Sequence, residues 1–239
     1  MKARAKPGKS KLPYVLSNFA MTADGKISFA GGRFVPFGSA RDREHMMELR
    51  AGTDAILCGA RTVEATGTIL GNGGEKFRRR RRKHGLAEYA VRVIASGSGS
   101  INPRAAVFGE RFSPILILTT AAISKARLGR LRAVADEVRI FGRREIRFRA
   151  ALGWLRAEWG VRRLLCEGGG ELNWALLRAG LVDELHLTIC PKVFGGSSAP
   201  TIADGRGFAR LAGAIPLKLK SCRRAGGELF AVFIRAPKR

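Results

Sequence analysis

Histidine and tyrosine are scarce in this chain, acidic residues are heavily outnumbered, cysteines are few and scattered, and no long apolar run occurs. With three histidines in all (His45, His84, His186), the material for a metal site is lacking, and none is expected. The four cysteines, Cys58, Cys166, Cys190 and Cys222, form no C-x-x-C pair, which excludes a zinc ribbon and a redox dithiol. Three of them end apolar strand-like runs, so buried free thiols in a reducing compartment are the expectation. No apolar stretch approaches membrane-spanning length, and the basic residues 1–11 are followed by no apolar segment of the signal-peptide kind. A cytoplasmic protein with no membrane partner follows.

The deficit of acid is large: 44 basic against 19 acidic residues leave a net charge of +25. Such a field attracts polyanions. Much of it sits in a basic tail, residues 1–12, and in the block Arg78 to Lys83. Only two tyrosines occur and no aromatic is interleaved with these basic runs, which argues against a nucleic-acid site and for a solvated arm and loop. A phosphorylated substrate and cofactor would benefit from the same field.

What is present is a globular composition, 46% apolar with 30 glycines, over 239 residues. Residues 13–239 read as a single domain. Residues 14–21 read as a strand, and 26–29 as a second one after a turn centred on Asp24-Gly25. Ser39, with Asp42 three residues on, resembles a capping box opening a helix over 40–51. A buried strand over 54–59 and a short helix over 61–65 come next, and then the pattern dissolves into glycine and arginine from 67 to 90. That stretch reads as a long loop or excursion, functional or disordered. Strands follow over 91–95, 115–118 and 138–141, with a helix from Ser124 whose Ile123 and Leu128 are placed for a hydrophobic staple. Phe148, Leu152, Leu155 and Trp159 form one helical face, after which come a strand over 163–166, a helix over 172–180 and a strand over 184–189. Strands over 217–221 and 229–234 flank a Gly226-Gly227 turn.

This alternation predicts an α/β fold: a mostly parallel central sheet, helices on both faces and antiparallel C-terminal strands. Ligands bind such sheets at the carboxyl ends of strands, where Gly59 and Gly168 sit. The run Cys166-Glu167-Gly168-Gly169-Gly170-Glu171-Leu172-Asn173 reads as strand, glycine turn and helix start. Unpaired N–H groups at a helix N-terminus favour a phosphate or pyrophosphate, although three glycines also suit any tight strand-to-helix turn.

Three segments stand out beside that run: 18–26, carrying Thr22-Ala23-Asp24-Gly25-Lys26; 49–63, ending Gly59-Ala60-Arg61-Thr62-Val63; and Cys190-Pro191-Lys192-Val193-Phe194-Gly195-Gly196. Their order and spacing resemble the riboflavin-biosynthesis pyrimidine reductases, whose domain has the dihydrofolate-reductase-like fold. The resemblance spans residues 13–234 and implies NADPH as cofactor, with a ribosylaminopyrimidine 5′-phosphate as substrate and reduction of ribosyl to ribityl as reaction. It implies catalytic roles for Lys26, donating hydrogen bonds or a proton to the opening sugar, and for Glu167, orienting it. Gly168, Gly169, Gly170, Glu171 and Leu172 would hold the pyrophosphate, and Gly59, Ala60, Arg61, Thr62 and Val63 the adenosine side. Arg61 is the candidate for the extra ribose phosphate, since a guanidinium engages phosphate oxygens in pairs. Asn18, Thr22 and Asp24 are candidates for substrate or nicotinamide contacts, and Ser39 could touch substrate besides capping its helix; an Asp-Gly turn and capping alone are the competing readings. A homodimer is implied as well.

One departure from the family pattern lies at 64–70, where Glu-Ala-Thr-Gly-Thr-Ile-Leu replaces an acidic residue, a proline and a threonine-arginine pair. Either the substrate phosphate is then bound differently, with the Arg78 to Lys83 block a candidate, or the accepted pyrimidine differs. No deaminase motif of the Pro-Cys-x-x-Cys kind is present, which leaves open whether the substrate is deaminated. Rival readings are a dihydrofolate-type pteridine reductase, for which Asp42, Glu44 or Glu48 would supply the buried carboxylate, and a nucleic-acid-binding or regulatory module on the same fold.

Overall fold

A computed structural model describes residues 10–31 and 34–236, so most of the basic tail lies outside the described residues. In chain order the elements are β1 (Tyr14–Thr22), α1 (Ala40–Ala51), β2 (Ala55–Gly59), α2 (Ala60–Thr66), α3 (Glu75–Lys83), β3 (Val91–Ala95), α4 (Ala106–Gly109) and β4 (Ile115–Thr119). They continue with α5 (Lys125–Val134), β5 (Glu137–Ile140), α6 (Phe148–Glu158), β6 (Arg163–Cys166), α7 (Gly170–Arg178), β7 (Glu184–Cys190), β8 (Leu217–Ala225) and β9 (Glu228–Arg235). The fold is α/β and its nine strands are mostly parallel. Two compact units divide the chain, one of residues 1–14 and 47–165, the other of residues 15–46 and 166–239.

In the first unit β2, β3, β4 and β5 pair in parallel, each with the next. Ile56, Ile94, Ile115 and Ile117 are wholly buried and share one core cluster with Val63 and Leu131. Leu57, Leu116 and Leu118, the alternate residues along β2 and β4, are equally buried, so these two strands have no wet face, as parallel strands covered by helices require, whereas the edge strand β5 leaves Ile140 exposed. Ser124 caps α5 by accepting from the Arg127 N–H, and its flanking Ile123 and Leu128 both pack on that core, as a staple should.

The glycine- and arginine-rich stretch is not the structureless excursion its composition suggested, because Glu75–Lys83 is helical. Ionic pairing holds this helix: Glu75 accepts from Arg78 at 2.9 Å and from Arg82 at 2.5 Å. Arg81 is fully buried, and its guanidinium donates to the carbonyls of Arg50, Thr53 and Ala87 at 2.7, 2.6 and 2.7 Å. It thus satisfies carbonyls at the C-terminal end of α1, which the helix itself cannot pair.

In the second unit β1 and β7 are parallel, while β9 runs antiparallel to both β7 and β8. The Gly226-Gly227 turn joins β8 to β9, with both residues at positive φ. No strand forms over 26–29. Thr22 N–H donates to the Lys26 carbonyl at 2.9 Å, which closes the turn, but the chain then leaves β1. Lys26 instead forms an isolated antiparallel bridge to Thr201, and Ile27 N–H donates to the Pro200 carbonyl.

Candidate functional site

Four short segments of the second unit carry most of the candidate residues: the Asp-Gly-Lys turn after β1, the glycine turn before α7, and residues 190–196 and 199–205 after β7. The Asp24 carboxylate does more than close its own turn. One oxygen accepts the Thr22 hydroxyl at 2.5 Å and the Phe194 N–H at 3.2 Å, and the other accepts the Gly195 N–H at 2.8 Å. The Thr22 hydroxyl above all, with these backbone donors, holds the Asp24 carboxyl down at about 2. Thr22 and Asp24 therefore pin the loop after β7. Phe194 of that loop stacks on Phe29 with ring centroids 4.0 Å apart and meets Phe37 edge-on at 5.0 Å. Lys26 is half-buried, and its ammonium lies 3.5 Å from the Ala199 carbonyl.

At the other segment, Gly168 and Gly169 have φ of 151° and 84°, which only glycine adopts without strain, and α7 begins one residue later. Helix N-terminal N–H groups have no intrahelical acceptor, so the first turn of α7 presents donors of the kind a pyrophosphate needs. Gly170 is required for a different reason: a Cβ there would collide with the Thr201 carbonyl and the Asp204 carboxylate. Leu172 is a buried packing residue that offers a ligand only its backbone, Glu171 is exposed, and Glu167 is half-buried in the loop between β6 and α7. Burial above all, with the nearby Glu167 charge and against hydrogen bonds with the Gly168 backbone and the Ser17 hydroxyl, leaves the Cys166 thiol pushed up to about 12 and inert at neutral pH.

Sequence reasoning passed over Asn173, Thr201 and Asp204, which join these segments. Asn173 is fully buried, accepts from the Ser17 hydroxyl at 2.6 Å and donates to the Ile202 carbonyl at 2.6 Å. Asp204 accepts from both the N–H and the hydroxyl of Thr201, at 3.0 and 2.7 Å. The Thr-x-x-Asp spacing of 201–204, a capping-type signature, is the signal that could have drawn attention to the pair.

Ser39 caps α1 by accepting from the Arg41 and Asp42 N–H groups, at 3.1 and 3.2 Å. The capping box stays open, however, because the Ser39 N–H goes to Glu228 at 2.8 Å rather than to Asp42, and the Ser39 hydroxyl donates to the same carboxylate at 2.6 Å. Asp42 itself is half-buried, and burial, partly offset by the Thr188 hydroxyl, raises its carboxyl above the ordinary range. Asn18 is 8% exposed and its Oδ1 is buried with no hydrogen-bond partner.

Within the first unit, Gly59 is the extended N-cap of α2, with φ −76° and ψ 144°. Ala60 and Val63 are buried packing residues, Thr62 is half-buried and Arg61 exposed. Of the arginine block, Arg78 bonds Tyr89 at 2.7 Å, Arg82 bonds Glu88 at 3.2 Å and Arg81 is structural. Among the described residues no group of three or more metal-ligating side chains occurs, and no helix is long and apolar enough to cross a membrane.

The profile of the RibD C-terminal domain matches residues 13–231. The chain belongs to this family. A 2,5-diamino-6-ribosylamino-4(3H)-pyrimidinone 5′-phosphate reductase of Methanothermobacter thermautotrophicus is 34% identical over 221 residues, covering 92% of this chain and 97% of that protein. The protein of the same name from Archaeoglobus fulgidus is 32% identical over 227 residues, covering 93% and 98%. Among solved structures, a pyrimidine reductase-like protein of Corynebacterium diphtheriae superposes with a TM-score of 0.82 at 21% identity, covering 95% of this chain and 93% of that one. The α/β architecture anticipated from the sequence is thus the fold of RibD-type reductase domains.

A RibD-type reductase implies a nicotinamide coenzyme, and the residues present fit one. Asn18 leaves a buried oxygen that needs a donor, which a carboxamide or a ribose hydroxyl supplies. The first turn of α7 supplies donors for phosphate oxygens, approached over Gly168 and Gly169 because the flank of Gly170 is filled by Thr201 and Asp204.

Proposed function

We propose that this RibD C-terminal domain protein uses NADPH to reduce the ribosyl group of 2,5-diamino-6-ribosylamino-4(3H)-pyrimidinone 5′-phosphate to ribityl, a step of riboflavin biosynthesis. The observation that carries the reading is the match to the archaeal reductases over nearly the whole length of both chains. The undeaminated pyrimidine is preferred because those relatives are named for it.

Reduction requires the sugar ring to open: the bond from C1′ to the ring oxygen breaks, that oxygen takes a proton to become the 4′-hydroxyl, and C1′ becomes the carbon of a protonated imine whose nitrogen keeps its hydrogen, so that hydride alone completes the amine. Bound coenzyme supplies the hydride that C1′ gains. Lys26 is assigned the proton or hydrogen bond to the ring oxygen as it departs, and Glu167 is assigned the orientation of the sugar. Asn18 contributes an acceptor, and the α7 N-terminus holds the coenzyme phosphates through backbone N–H groups. Lys26→Ala and Glu167→Ala are each expected to lower kcat by about 10²- to 10⁴-fold. Full turnover by either variant would reject its role.

Asp42 favours a second reading, pteridine reduction, because a half-buried carboxyl with a raised pKa is what a pteridine ring would use. Turnover of dihydrofolate that is lost in Asp42→Asn would support it.

A further inference from the structure

The turn that carries Lys26 and the turn that carries the three glycines are far apart in sequence, and one segment, residues 199–205, touches both. On the Lys26 side, the Ala199 carbonyl faces the Lys26 ammonium, Pro200 accepts from the Ile27 N–H at 2.9 Å, and Thr201 bridges Lys26. Towards α7, the Ile202 carbonyl accepts from buried Asn173, and Asp204 and Thr201 lie so close to Gly170 that no Cβ fits. Gly205 packs against the Trp174 indole with the same intolerance of a Cβ. The segment belongs to no helix or strand, so side-chain bonds must add to the backbone bridge at Lys26 and Ile27 to fix its shape. Asp204 provides two of these at Thr201, the residue that bridges Lys26.

We propose that residues 199–205 are a positioning strap for the reductase reaction, and that Asp204 is a positioning residue that acts through Thr201 to fix the Lys26 ammonium relative to the glycine turn of α7. The proposal rests on the reading of Lys26 and the glycine turn given above. The physical reason is geometric. A proton donor misplaced by an ångström loses much of its effect even when nothing that touches the ligand has changed. Asp204 accepts both Thr201 bonds on one oxygen, which an amide oxygen can also do, so shape rather than charge is the requirement.

The test compares Asp204→Ala, Asp204→Asn and the unaltered protein in three measurements: NADPH oxidation with 2,5-diamino-6-ribosylamino-4(3H)-pyrimidinone 5′-phosphate, NADPH binding by fluorescence, and amide hydrogen exchange of residues 199–205. Asp204→Ala is expected to lower kcat by about tenfold or more. Its NADPH affinity should change by less than about threefold, and amides of the strap should exchange faster. Asp204→Asn should restore both turnover and protection. Asn as impaired as Ala would mean that the charge acts directly and would overturn the positioning role, as would wild-type turnover in Asp204→Ala or unchanged exchange. Should Asp204→Ala not fold, Thr201→Val removes the hydroxyl, with its bonds to Asp204 and from the Ala203 N–H, but keeps the Thr201 N–H bond to Asp204, and is read by the same three measurements for a smaller loss of the same kind. Absence of turnover in the unaltered protein would overturn the functional reading and the positioning role with it. The exchange measurement separates that outcome from a strap that Asp204 does not hold.

Discussion

Asp24 and Glu228 each use a carboxylate to hold backbone N–H groups distant in sequence, which gives two candidate site residues, Asp24 and Ser39, a structural role. Glu228 reaches across 189 positions to grip the N–H and hydroxyl of Ser39, which makes Ser39 a helix cap tied to the C-terminal hairpin. Asp24 holds Phe194 and Gly195. Because its pKa is lowered from 3.8 to about 2, the folded state binds this proton less tightly than the unfolded chain does. Its contribution to stability is therefore full above the ordinary carboxylate pKa and lost as pH falls through about 2. The gap in thermal midpoint between the unaltered protein and Asp24→Asn should be constant above about pH 5 and should close as the acid range is entered. A gap that widens with acid would contradict the assignment. Lys26 and Glu167 were legible as candidates because they stand in ordered motifs. Glu228 was not, since its bonds to Ser39 are made after folding across 189 positions, and Asp204 and Thr201 showed only their Thr-x-x-Asp spacing.

Among the elements, the strands of the first unit were readable because buried parallel strands are continuous apolar runs, and β3 begins and ends where its run does. The helix α3 was not, for its residues give no apolar stripe; its support is a glutamate serving several arginines and one arginine buried under the end of α1. The missing strand over 26–29 has a similar cause, as its backbone partner is the strap, not β1. Since Arg81 satisfies three carbonyls, Arg81→Ala should lower the unfolding free energy by about 2 to 4 kcal/mol, whereas exposed Arg79→Ala should change it by less than about 0.5 kcal/mol. Urea titrations of the two variants check this, and equal effects would deny Arg81 a structural role. Removing the whole block 78–83 would for the same reason unsettle the fold, so a phosphate role for its exposed members is better sought by replacing Arg79, Arg80 and Lys83 singly.

The molecule as a whole carries a net charge of +25, which favours encounter with ligands that are themselves phosphorylated. Screening weakens that attraction as ionic strength rises, so KM for both the phosphorylated substrate and NADPH should increase between low and physiological salt while kcat stays level. A KM that is flat with salt would remove the charge from any account of ligand capture. More direct is the choice of substrate. Purified protein offered NADPH with 2,5-diamino-6-ribosylamino-4(3H)-pyrimidinone 5′-phosphate, its deaminated uracil analogue and dihydrofolate in parallel should oxidise the coenzyme fastest with the first; oxidation with dihydrofolate alone, or with none of the three, would contradict the account.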